Sequence, residues 1–150
     1  MSIPSTVSHA VQQTQEWLKE LTINAGLTDE TEALSVLRAV LHQLRDRLTV
    51  DEGVQFAAQL PTFIRGIYYE GWQPRHVPNK EISSRQDFLD ALTLRLLPHR
   101  LPPEPMALSV FALLAHHLDP GEISDVIGQL PDDIKGLWPL TARTFKERMR

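Results

Sequence analysis

The run Gln59-Leu60-Pro61-Thr62-Phe63-Ile64-Arg65-Gly66 returns seventy residues later as Gln129-Leu130-Pro131-Asp132-Asp133-Ile134-Lys135-Gly136. The reading of this recurrence decides the fold. The match extends in both directions without a gap, from Val36–Tyr68 to Met106–Trp138. Val40 pairs with Val110, Leu44 with Leu114, Leu48 with Leu118, Glu52 with Glu122, and Tyr68 with Trp138. A Leu-Pro dipeptide alone carries no weight in a leucine-rich chain. Turn chemistry, helix caps and apolar spacing recurring in one register mark an internal duplication. Pro61 and Pro131 read as helix starts, because proline in a first turn loses no hydrogen bond. Leu60 and Leu130 read as core anchors, and Gln59 and Gln129 as residues that bond the turn's backbone.

Working outward, Leu34, Leu37, Val40, Leu41, Leu44 and Leu48 follow the three- and four-residue spacing of an amphipathic helix. Arg38, Gln43, Arg45 and Arg47 fall on its opposite side and are expected to face solvent. Thr49…Glu52 and Asp119…Glu122 have the form of capping boxes, in which the fourth residue's carboxylate returns to the cap amide. That role accounts for both glutamates. Asp29…Glu32 and the serines at 83 and 84 supply further starts, and Gly26 a helix end. The expected architecture is all-α, a compact domain of two tandem copies. Each copy has two longer helices and two short ones joined at the Gln-Leu-Pro turn, and the copies are related by a pseudo-twofold. Copy one covers about 8–72, a proline-bearing linker about 73–82, copy two about 83–138, and a basic tail 139–150.

The 150 residues are enough for one core without staples. With no cysteine there is no disulfide, thiol nucleophile or cysteine-bound zinc, which fits a reducing cytoplasm. The first twenty residues lack the basic and apolar segments of a signal peptide, and no apolar run reaches the ~20 residues of a membrane helix. A net charge of −4 argues against nucleic acid as the main partner. The expectation is therefore a cytoplasmic protein with no membrane association, a protein partner and a possible homodimer.

The segment from Ala39 to Trp72, with its Gln-Leu-Pro…Tyr68-Tyr69-Glu70-Gly71-Trp72 signature, resembles the bacterial domain of unknown function 2267 family. The second half, with Gly121-Glu122, Asp125-Val126, Gln129-Leu130-Pro131 and Leu137-Trp138, is similar to it too. The resemblance implies an all-helical fold. It brings no reaction, cofactor or catalytic residue with it.

Three large rings at Tyr68, Tyr69 and Trp72 cannot all share one face of a helix, and exposed aromatics are enriched at interfaces. Tyr68 and Trp72 fit a core role, which the Tyr68–Trp138 match supports for Tyr68. Tyr69 fits the surface, and Arg65, Tyr69 and Trp72 together form the candidate partner surface. None of the six histidines falls in a metal-binding helical spacing. Adjacent His116 and His117 project about 100° apart on a helix, an awkward geometry for chelation. No catalytic residue, cofactor site or metal site is assigned. Two readings stand: a non-catalytic interaction or regulatory module acting near Tyr69–Trp72, and a small-molecule or enzymatic pocket where the copies meet, lined by Gln59, Gln129 and His116.

Overall fold

A computed structural model describes residues 2–149. It is all-helical, and among the described residues there is no strand. The helices are α1 (Ser5–Asn24), α2 (Glu30–Arg45), α3 (Val50–Gln59), α4 (Thr62–Tyr69), α5 (Arg85–Leu96), α6 (Pro103–His117), α7 (Pro120–Gln129), α8 (Asp132–Lys135), α9 (Leu140–Arg143) and α10 (Phe145–Arg148). Among the described residues, no helix is long and apolar enough to cross a membrane.

Local chemistry accounts for most boundaries. Asp29, Thr49, Ser84 and Asp119 are N-caps whose side chains accept the backbone N–H three residues on. Gly26 ends α1 at φ +65°, with Gly26 N–H donating to Ile23 O and Leu27 N–H to Thr22 O. That pair of bonds is a Schellman end, and only glycine enters it without strain. Pro61 and Pro131 sit one position before the first helical residue, as N-caps rather than inside the first turn. Each leaves its carbonyl free to accept from residue 65 or 135.

Helix α2 is the centre of the molecule, packed against α1, α4, α5 and α6. Leu37, Val40, Leu41 and Leu44 of its apolar stripe are buried, together with Leu48, Leu60, Leu114, Leu118, Leu130 and Ile134, and Leu34 is partly buried against them. The opposite side departs from expectation. Gln43 and Arg45 are both only 3% exposed, because α5 packs across them and the chain after α4 folds over that side. Apolar spacing locates the first face a helix buries and says nothing of a second layer.

Helices α3 and α7 are each ten residues long, begin and end seventy residues apart, and pack on each other. Tyr68 and Trp138 are fully buried, as their correspondence predicts, but in different surroundings. The Tyr68 hydroxyl donates to Gly53 O at 3.0 Å. A Cβ at residue 53 would lie 3.2 Å from that oxygen, so glycine makes room for the bond. Residue 123, the counterpart of Gly53, is isoleucine, and Trp138 stacks flat on Phe111 at 4.2 Å. Burial holds the Tyr68 hydroxyl protonated, well above the usual tyrosine range. Replacing Tyr68 by phenylalanine removes one buried hydrogen bond and little packing, so a loss of about 1 kcal/mol is expected in urea unfolding. An unchanged midpoint would contradict this account.

The segment expected as a basic tail is packed. Helices α9 and α10 lie against α7, Arg143 Nε donates to Trp138 O, and Lys146 pairs with Asp125 at 3.1 Å. Arg150 lies outside the described residues, as does Met1.

Candidate functional site

A polar depression lies where α2, the chain after α4, and α5 meet. Its volume is about 440 Å³. Helix α2 supplies His42, Arg45 and Asp46, α5 supplies Arg95, and the intervening segment supplies Glu70, Gln73, His76 and Asn79. The segment turns at Gly71, whose φ of +70° favours glycine, and is tied to α2 by Asn79 N–H donating to Asp46 O at 2.7 Å.

Arg45 organises this cleft. Its Nη1 donates to Tyr68 O at 2.8 Å and to Glu70 O at 2.6 Å, capping the end of α4. Its Nε donates to Asp46 Oδ1 at 2.9 Å. Arg95 approaches Asp46 from the other helix, with Nη2 at 2.7 Å from Oδ2 and Nε donating to Gln43 Oε1 at 2.8 Å. Arg38 pairs with the Glu70 carboxylate at 2.8 Å. Three guanidinium groups therefore surround two carboxylates, which leaves the cleft with a local positive excess. His42 donates Nε2–H to Ile67 O at 2.7 Å, because a carbonyl can only accept. Its Nδ1 is thereby left as an acceptor. Burial, the largest influence, holds His42 below the ordinary imidazole range against the contrary pull of that bond. Arg45 and Arg95 act in the same direction as burial.

The residues singled out from sequence fall into distinct roles. Tyr69 and Trp72 are half-buried, their ring centroids 5.4 Å apart, on either side of the Glu70-Gly71 edge of the cleft. Arg65 instead donates to Ala57 O, Ala58 O and Leu60 O, closing the end of α3. Leu60 and Leu130 are core residues. Gln129 does not bond its own turn. Its Oε1 accepts from Thr49 N–H at 3.2 Å and Thr49 Oγ1–H at 3.1 Å, reaching the N-terminus of α3. Gln59 is exposed beside Leu118 and His117 in a shallow depression.

The glutamates at 52 and 122 also depart from the capping role. Thr49 N–H is occupied by Gln129, and only the cap side chains, not the returning carboxylates, complete the boxes. The two glutamates face each other instead across the α3–α7 contact. Two ionised carboxylates so placed repel each other, and a proton held on one of them relieves the pair. Burial first, and then Glu52, push the Glu122 carboxyl up to about 7, with Asp125 and Asp119 adding to the effect. One oxygen of each group, Oε1, is buried without a hydrogen-bond partner. The sequence did carry a signal: Glu52, Phe56 and Leu60 are four apart, as are Glu122, Val126 and Leu130. Both glutamates thus stand in phase with buried positions.

A family model described as uncharacterized conserved protein (DUF2267) matches residues 14–137. That span covers most of the chain, which belongs to this family. No curated protein matches the chain.

Proposed function

We propose that this protein is a non-catalytic interaction module that receives an acidic segment of a protein partner in the Arg45–Arg95 cleft, with Tyr69 and Trp72 along its rim. The observation that carries the reading is Arg45, a guanidinium 3% exposed and fixed by three partners at the wall of an open polar depression. Arg95, half-exposed beside it, offers its remaining N–H groups to an incoming carboxylate. Positive excess in a concave site both steers and orients an anionic partner. Half-buried aromatics beside such a site add contact area at little conformational cost. Residues 8–72 and 83–138 are read as two copies of one unit about an approximate twofold, joined by 73–82. The matched ends of α3 and α7 and the Gln129–Thr49 bond support that organisation.

A second reading, a small dicarboxylate in place of a peptide, is favoured by the cleft's volume, which lies within the range of ligand pockets. Titrating isotope-labelled protein with a glutamate-rich hexapeptide and separately with succinate distinguishes them. The peptide is expected to shift the amide resonances of Gly71, Gln73, Asn79 and Arg95, and Arg95→Ala to weaken it at least tenfold. Equal or tighter binding of succinate would favour the second reading. No shift with either would overturn both.

A further inference from the structure

We propose that Glu20, His116 and His117 form a binding site for a borderline divalent transition-metal ion, zinc above all. The site joins α1 to the last turn of α6, away from the polar cleft, and is independent of the reading given for that cleft. His116 Nδ1 lies 2.9 Å from Glu20 Oε1, and His117 Nε2 lies 2.5 Å from Glu20 Oε2. One ligand atom from each residue lies within 4.8 Å of the others.

Adjacent helical residues diverge by about 100°, and the convergence here has a simple cause. His116 uses the ring nitrogen nearest the backbone and His117 the far one, so both rings reach one carboxylate. The rings are 4.6 Å apart. The His117 ring also lies against buried Trp17, with centroids 4.8 Å apart and planes 24° from parallel, which fixes its orientation. Glu20 follows Trp17 by three positions on the same helix, so one turn of α1 supplies both the ligand and the support.

Two imidazoles and a carboxylate are the donor set of open zinc sites, with metal–ligand distances of about 2.0–2.2 Å and a fourth position for water. At that bond length, tetrahedral ligand atoms stand ~3.3 Å apart. The close nitrogen–oxygen pairs would open by less than an ångström each, and the wider separations among the three ligand atoms, none above 4.8 Å, would close. As the ion enters, the proton on each ligating nitrogen moves to the ring's other nitrogen, and each imidazole binds as a neutral ligand. The His116 side chain is 68% exposed, giving the ion a direct approach from solvent. Imidazole with carboxylate suits zinc, copper and nickel and is a poor set for magnesium or calcium.

The test is isothermal titration of the full chain with zinc chloride, in a buffer that does not bind metal. A cobalt titration followed by visible absorption accompanies it. One saturable zinc site per chain and a visible cobalt spectrum with nitrogen ligation are expected. His116→Ala and Glu20→Gln should each weaken binding at least tenfold, with unfolding midpoints near wild type for the exposed His116→Ala. His76→Ala and His99→Ala, which alter imidazoles elsewhere, should leave the affinity unchanged. Absence of saturable zinc binding would overturn the site. So would His116→Ala and Glu20→Gln both binding with wild-type affinity.

Discussion

Replacing Arg45 by methionine is expected to lower the free energy of unfolding by roughly 3–5 kcal/mol. The methionine fills much of the same volume, so the loss isolates the guanidinium. Three partners are abandoned together: Tyr68 O and Glu70 O at the end of α4, and the Asp46 carboxylate. The carbonyls lie at a largely buried site, where an unmet acceptor costs far more than a bond to solvent. Asp46 retains Arg95, which limits the damage. Lysine at position 45 would recover only part of the loss, since one ammonium cannot reproduce the planar fork. Arg38→Met is the comparison. Arg38 is 40% exposed and its pairing with Glu70 is screened, so its removal should cost less than about 1 kcal/mol. Urea unfolding of the three variants decides the matter, and equal losses from Arg45→Met and Arg38→Met would refute the role given to Arg45. Against a total of about 5–15 kcal/mol for an ordinary domain, the first variant stands near the edge of folding.

Raising the pH from 4.5 through 7 is expected to remove about 1–2 kcal/mol of stability through the Glu52–Glu122 pair. In the unfolded chain Glu122 loses its proton near 4.5, whereas in the folded protein it holds it to about 7. Between those values the folded state carries a proton that the unfolded state has released. The contribution is fully present below 4.5 and gone above about 7. The magnitude is discounted because Glu122 is partly exposed, although its Oε1 is buried. His42 works in the opposite sense: held below 6.5, it favours the fold above that pH and loses its contribution on acidification. A difference between variants separates the two. Glu122→Gln supplies a permanent amide donor to Glu52, so it should gain on the wild type by about 1–2 kcal/mol between pH 5 and pH 8. Parallel pH profiles for the two proteins would show that no proton is held at this contact. Asp87, held below the usual carboxylate range by the Ser83 and Ser84 amides, titrates beneath this window.

What could be read in the sequence was what the chain determines over a few residues. Caps at Asp29, Thr49 and Asp119, the Gly26 end and the buried stripe of α2 each depend on neighbours within one or two turns. The burial of Tyr68 and Trp138 followed from their shared register. The candidate site was mostly hidden, because its contacts join residues far apart in the chain. Arg95 meets Asp46 across 49 positions, and His116 meets Glu20 across 96. Arg45 was assigned to solvent since it breaks the leucine stripe, yet it is four residues from Leu41 and adjoins Leu44. A charged residue placed so near the apolar positions was the available clue. Glu52 was obscured for a different reason: a capping box and a buried carboxyl contact demand the same residue at the same place. The signal that distinguished the two was their four-residue phase with Phe56 and Leu60 and with Val126 and Leu130.

The facing carboxyls also constrain how this chain can change over generations. Glu52 and Glu122 face each other with one buried Oε1 apiece, so a lone replacement by an apolar residue leaves the other carboxyl facing an apolar side chain. A joint replacement by two apolar side chains, or by a glutamine facing a glutamate, strands neither. Positions 52 and 122 should therefore drift together among descendants of this sequence, even though seventy residues separate them.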